Sequence, residues 1–285
     1  MKRAFALLLL LALPAQLFAA QEGAQQPPSQ QLVKPQRIVS LSLCTDQLIL
    51  MLVEPQRIAA VSDLAPDEIY SDMADKAKGL NVHYGLAEQI IPLNPDLIIG
   101  SIYSANNTVH MLRQLGHPVT TVDSPKTIAE IATFTRTIGI AVGEPERAEI
   151  IIETMHQQIE KAKRLVAGKP KQLAISYGPN GYTPGRKSLK HEVLEAVGYR
   201  NLAAELGIEY AGNLSVEQLA IANPDAVIID ESIPNQDSLA QNFVNHPLLK
   251  KLYQDTRMPH VPTRFWLCPG PSVSKAILSL AEQRQ

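Results

Sequence analysis

Tryptophan occurs once in this chain, cysteine twice, and aromatic residues together make up only 5%. Beyond the first residues no stretch reaches about 18 apolar positions, so no membrane-spanning helix is expected in the body of the chain. Basic residues do not outnumber acidic ones, with 26 Lys and Arg against 28 Asp and Glu. Without a basic stripe, nucleic acid is excluded as a default partner. Catalytic signatures are missing too: there is no G-x-S-x-G elbow, H-E-x-x-H, G-x-G-x-x-G or phosphate loop. His191-Glu192 is followed by Val-Leu-Glu, which breaks the zinc pattern. No catalytic residue is assigned, and the chain is not read as an enzyme. Scattered Ser, His and Asp side chains keep an exported enzyme or a solute-sensing domain as alternatives. No spacing supplies the three or four convergent ligands of a bare metal ion, so neither a metal site nor a cofactor is expected.

The two ends of the cysteine question lie far apart in the chain. Cys44 and Cys268 are separated by 224 residues. In an oxidising compartment such a pair often joins. Chain entropy puts the gain at about 5 kcal/mol as an upper guide. The Cα distance decides whether the bond forms, and sequence does not contain it.

An oxidising compartment is what the N-terminus implies. Residues 1–20 read as an export signal, with Lys2 and Arg3 before an uncharged apolar run at 5–13 and small residues Ala19 and Ala20 at the cleavage site. No cysteine sits there, so no lipid anchor is expected. Residues 21–36, rich in Gln and Pro, read as a flexible leader. About 250 residues remain, enough for one large or two smaller domains. Without Lys2 and Arg3 the formal charge becomes −4, from 24 basic and 28 acidic side chains.

One segment occurs twice. EQIIPLNPDLII at 88–99 returns as EQLAIANPDAVI at 217–228, with six of twelve positions identical. In each copy a short amphipathic stretch ends at an Asn-Pro-Asp break, because the residue before proline avoids the helical region. A continuous apolar run follows, as in a strand buried on both faces. Two helix–turn–strand units imply two lobes of similar build, each presenting one glutamate at an equivalent point.

Strand signals at 38–41, 58–61, 97–99 and 119–122 alternate with helical stretches such as 107–115, which Gly116 ends. This alternation implies parallel strands with crossover helices. From Pro145 to Ala167 no strand signal occurs, while Ala148, Ile151, Ile152, Met155, Ile159, Ala162 and Val166 recur at helical spacing. Such a helix is about 34 Å long and is read as a spine joining two lobes. Strand signals resume at 173–177, 226–229 and 260–262.

These residues resemble the periplasmic substrate-binding proteins of the iron-chelate and vitamin B12 class, the soluble components of ABC importers. The resemblance runs through RIVSLSLCTDQLILML (37–52), PQRIAAVS (55–62), GLAEQIIPLNPDLII, QLGHPVTTVD (114–123), ISYGPNGYTPGRKSLKHEVLEAVGYRNL (175–202) and SVEQLAIANPDAVII. It implies an α/β fold of two Rossmann-like lobes with parallel sheets, joined by one long rigid helix, with the ligand cleft between them. The expected division is an N-terminal lobe at 37–144, a connecting helix at 145–168 and a C-terminal lobe at 169–285. The resemblance further implies a periplasmic monomer that hands a metal chelate or corrinoid to an ABC permease with a cytoplasmic ATPase. Glu88 and Glu217 would then dock onto permease arginines, a carboxylate–guanidinium contact repeated by two-fold symmetry.

Matching to the family puts Cys44, Thr45, His83, Tyr84, Tyr103, Tyr177, Tyr182, Arg186, Arg264 and Trp266 in the cleft. His83 and Tyr84 are residue types able to ligate iron. Trp266, in the Pro- and Gly-bounded RFWLCPGP, is a candidate aromatic platform. His191 opens a helix expected over 188–197, and Arg186, Lys187 and Lys190 beside it offer an anion site. The chain departs from the B12-binding members in offering tyrosines where they use several tryptophans. Cys44 stands in place of a small cleft residue, and Cys268 falls in the other lobe's cleft loop. Opposed across the cleft, the two thiols would lock it or touch the ligand.

Overall fold

The computed structural model describes residues 34–104, 106–230, 244–253 and 258–284. The expected export signal and most of the expected leader lie outside the described residues. Lys34 to Gln36 are not loose: Lys34 Nζ pairs with Glu144 at 3.1 Å, and the Gln36 N–H donates to Asp96 at 2.6 Å.

The strands are β1 (Ile38–Ser40), β2 (Ile58–Ser62), β3 (Val82–His83), β4 (Leu97–Ser101), β5 (Val119–Val122), β6 (Gln172–Tyr177), β7 (Tyr182–Pro184), β8 (Tyr199–Asn201), β9 (Ala211–Asn213), β10 (Ala226–Asp230) and β11 (His260–Val261). The helices are α1 (Leu43–Leu52), α2 (Ala74–Ala77), α3 (Ala87–Ile90), α4 (Asn106–Gln114), α5 (Ile128–Ala141), α6 (Pro145–Val166), α7 (Leu189–Ala196), α8 (Leu202–Glu205), α9 (Val216–Ala222), α10 (Pro247–Leu252), α11 (Thr263–Trp266) and α12 (Val273–Gln283). The first sheet has the order β3-β2-β1-β4-β5 and the second β11-β10-β6-β8, with every pairing parallel. Each is a parallel sheet covered by helices, as the alternating apolar runs require. A small antiparallel pair, β7 with β9, leaves the second sheet at the end of β6.

The duplicated segment shows what its identical residues do. Gln89 accepts the Tyr84 N–H at 2.8 Å, and Gln218 accepts the Ser215 N–H at 2.9 Å. Asn94 (φ 46°) and Asn223 (φ 42°) both end their helical turns in the left-handed region, which asparagine tolerates better than most side chains. Asp96 then donates its N–H to the Arg37 carbonyl and accepts the Gln36 and Arg37 N–H groups on its carboxylate. Asp225 does the same at Leu173, donating at 2.8 Å and accepting at 2.7 Å. Each aspartate hooks one central strand to its neighbour, β4 to β1 and β10 to β6.

Helix α6, 22 residues long, starts at Pro145 as proline favours. Its apolar stripe is divided between two cores. Ala148, with half-buried Ile151, packs with β1, β2 and β4, whereas Ile152, Met155, Ile159, Ala162 and Val166 pack with β6, β10 and α12. Helix α5 divides likewise, with Phe134 and Ile138 in the first core and Ile131 and Ala132 in the second. The two lobes are thus joined by a pair of packed helices rather than by α6 alone.

The asparagine assignment has a direct consequence. Asn94→Ala and Asn223→Ala are each expected to lower the unfolding free energy by about 1 kcal/mol, the cost of a Cβ in the left-handed region. Asn94→Gly and Asn223→Gly should leave it nearly unchanged. Chemical denaturation of the four variants measures the difference.

Candidate functional site

In an open parallel sheet a ligand sits beyond the carboxyl ends of the strands, where the strand order reverses. In the first sheet that point lies between β1 and β4, and in the second between β6 and β10. The loops concerned are those after Ser40, Ser101 and Tyr177. All three lead to residues expected in the cleft: Cys44 and Thr45 in the first turn of α1, Tyr103 in its loop, and Tyr182 at the start of β7.

The expected residues separate into two groups. Tyr84, Tyr103 and Tyr182 stand out from their loops, with 68%, 72% and 48% of their surface exposed. Thr45, His83, Tyr177 and Trp266 do not; all four are buried. The His83 ring is fully engaged, accepting the Gly85 N–H at Nδ1 (3.0 Å) and donating from Nε2 to the Ser40 carbonyl (2.7 Å). Burial also lowers its pKa, which favours the neutral ring. Both ring nitrogens expected as candidates for iron are thus engaged within the fold. Tyr177 donates its hydroxyl to the Leu214 carbonyl at 2.8 Å, and burial pushes its pKa up to about 12. Trp266 lies on the short helix α11 rather than in an open loop, and its ring packs into the second core beneath the Lys190 ammonium at 4.1 Å. It serves as packing, not as an exposed platform.

The basic cluster is likewise spoken for. Arg186 donates to the Ala204 carbonyl at 2.8 Å and lies 3.7 Å from Glu209, which also pairs with Lys187 at 2.9 Å. Glu209 supplies the anion that an incoming ligand was expected to bring. His191 is largely buried beside Asn201 and Glu195. Arg264 donates to the Glu68 carbonyl across the two lobes at 3.3 Å.

Tyr210, 69% exposed, was not among the expected residues. It precedes β9, the strand paired with the one Tyr182 begins. Its position between Gly207 and Gly212, a turn-bounded stretch, was the available signal. Gly181 fixes this region: at φ 73° it favours glycine, and a Cβ there would come within 2.1 Å of the Leu214 carbonyl oxygen.

Cys44 and Cys268 are joined by a disulfide with a Cα–Cα distance of 5.1 Å. The bond ties the first turn of α1 to the loop after α11, and so one lobe to the other. Cys44 is therefore no free thiolate. Two residues on, Asp46 is buried, accepting the Ser62 hydroxyl and backbone N–H (3.2 Å). Burial raises its pKa to about 7, against the opposing hydrogen bonds from Ser40 and Ser62.

Glu88 and Glu217 are both exposed in the first turn of their short helices, α3 and α9. A hydrogen bond from the Ser215 hydroxyl holds the Glu217 carboxyl below its usual range. Cavities among the described residues lie elsewhere. One of about 510 Å³ lies along α5, with Asp123, Lys126 and Thr137 among its walls. One of about 320 Å³ lies between Met51, Met155 and Lys275. Neither is lined by a residue expected to hold ligand.

Residues 38–253 match the model of the periplasmic binding protein family. The chain belongs to that family. It is 28% identical over 225 residues to a vitamin B12-binding protein of Salmonella paratyphi A, covering 78% of this chain and 76% of that one. An ABC transporter substrate-binding lipoprotein of Bacillus subtilis is 25% identical over 213 residues, covering 70% of this chain and 65% of that one. A periplasmic heme-binding protein from Roseiflexus sp. RS-1 superposes with a TM-score of 0.71 at 23% identity, covering 87% of this chain and 97% of that one. The two-lobed fold of the family accounts for the paired parallel sheets. No described helix is long and apolar enough to cross a membrane.

The buried carboxyl gives a pH prediction. With its folded pKa raised from 3.8 to about 7, Asp46 holds its proton more tightly in the folded state. Its contribution to stability is complete below about pH 4 and is lost as the pH rises through about 7, at up to about 1.4 kcal/mol per pH unit. Asp46→Asn should flatten the fall in unfolding free energy across that window, which denaturation at a series of pH values measures.

Proposed function

We propose that this protein captures a corrinoid or metal chelate outside the cytoplasm and delivers it to an ABC permease driven by a cytoplasmic ATPase. The observation that carries this reading is the placement of the exposed aromatics. Tyr84 and Tyr103 stand on the first lobe at the ends of β3 and β4, and Tyr182 and Tyr210 on the second lobe at the β7–β9 pair. Exposed tyrosines supply broad apolar faces with a polar tip, a surface suited to a large flat metal complex. The names of the relatives, a vitamin B12-binding and a heme-binding protein, support the same cargo class. The lobes of this reading are residues 37–144 and 169–285, either side of the connecting helix.

Glu88 and Glu217 are the docking carboxylates of this reading. In the duplicated segment Gln, Asn and Asp work inside the fold, whereas the glutamate side chains face solvent. Two equivalent carboxylates on equivalent lobes suit a two-fold partner bearing arginines. The expected signal at 1–20 supplies export, and a monomer satisfies the two-fold contact.

A titration against cyanocobalamin, cobinamide, haemin and ferric siderophores tests the cargo class. One of them is expected to bind saturably at one-to-one stoichiometry without being converted, and Tyr84→Ala or Tyr103→Ala should weaken it about tenfold, or 1.4 kcal/mol. Chemical turnover of the bound chelate would overturn the reading in favour of an enzyme. For docking, Glu88→Ala combined with Glu217→Ala should leave cargo affinity unchanged while abolishing uptake in cells. Unimpaired uptake by the double variant would remove these residues from the docking role.

A further inference from the structure

The lobes are connected a second time, beyond the packing of α5 and α6, through one stretch of the second lobe that itself runs onto α6, where Ser274 donates to Gln158 at 2.6 Å. Between residues 262 and 275 four side chains reach the first lobe. Arg264 donates to the Glu68 carbonyl at 3.3 Å, Cys268 is bonded to Cys44, Ser272 donates to Asp72 at 2.5 Å, and Lys275 pairs with Asp72 at 2.6 Å. Asp72 is well shielded, with 6% of its side chain exposed. Three of the four links are polar contacts: the Arg264 contact is exposed and open to water, whereas the two on Asp72 are shielded and less screened. Of these four links, the bond at Cys268 is the covalent one. It joins the first turn of α1, which follows β1 at the switch point of the first sheet, to the loop after α11.

We propose that the Cys44–Cys268 bond is a redox-controlled lock at the root of the cleft. Oxidised, it confines relative movement of the lobes to the rim that carries the four exposed tyrosines. Reduced, it frees the 262–275 stretch and lets the cleft widen, so that retention of cargo depends on the thiol state. The effect on cargo rests on the cleft reading proposed above; the lock itself does not. The bond is open to exchange on one side, because Cys44 is half-buried and Cys268 only 5% exposed. A dithiol thiolate attacks the Cys44 sulfur and displaces Cys268 as a thiolate, which takes up a proton. The second thiol of the reductant then displaces Cys44 from the mixed disulfide. Two protein thiols and an oxidised, disulfide-bonded reductant result, with two electrons and two protons transferred.

Hydrogen exchange of the purified protein tests this in its oxidised form, after dithiothreitol, and as Cys44→Ser. In the last two, exchange of the non-proline amides at 263–272 and 41–46 is expected to rise threefold or more, with β1, β4, β6 and β10 unchanged. Reoxidation should restore the dithiothreitol-treated sample. Asp72→Asn, which keeps the covalent bond, should raise exchange at the same sites by less than threefold. A rise below threefold on reduction overturns the lock, and so does a rise that extends through the central strands, since the bond would then merely hold the fold together. Dissociation of bound cyanocobalamin or haemin, followed in parallel, should accelerate on reduction. If neither binds, the exchange result still decides the lock, and the failure belongs to the cargo reading.

Discussion

Everything in this molecule depends on the division of one apolar stripe between two cores. Ala148 and Ile151 of α6 belong to the first, and Ile152 through Val166 to the second. Neither sheet can bury its inner face without that helix, and neither lobe can turn freely once it does, because close-packed side chains do not slide past one another at little cost. Helix α5 repeats the arrangement with Ile131 and Ala132 on one side and Phe134 and Ile138 on the other. The joint is therefore a packed pair of helices.

Within that frame the two lobes solve one problem in the same way. Each must hold its central strand pair together at the amino end while leaving the carboxyl end free for loops. The Asn-Pro-Asp break does this, as asparagine turns the chain, proline ends the helix, and aspartate binds the edge of the neighbouring strand. Because the amino ends are hooked, variation collects at the carboxyl ends. There the lobes differ: the first carries Tyr84 and Tyr103 on plain strand-end loops, the second carries Tyr182 and Tyr210 on an added antiparallel pair.

The candidate site shows how burial sorts residues that look alike in sequence. Tyr84 and Tyr177 both follow or end a strand and both were expected in the cleft from the resemblance. One is 68% exposed, and the other is fully buried with its hydroxyl on a backbone carbonyl. His83 sits beside Tyr84 in the chain, yet His83 ends β3 with its ring buried, whereas Tyr84 lies just past the strand and is exposed. The basic residues at 186–190 met the same fate: Glu209, distant in sequence, neutralises two of them.

Sequence by itself determined the alternation of strand and helix, the long helix from Pro145 and the duplicated units, because apolar period, proline and turn residues act over short range. The short strands β3, β7, β8 and β9 escaped it, being two or three residues long and held by their neighbours rather than by their own pattern. Only the tertiary structure decided that Cys44 lies 5.1 Å from Cys268 across 224 residues, that Trp266 is core, and that Asp72 clamps Lys275. Those facts depend on where two separate sheets come to rest against shared helices, a long-range relation that no local spacing encodes.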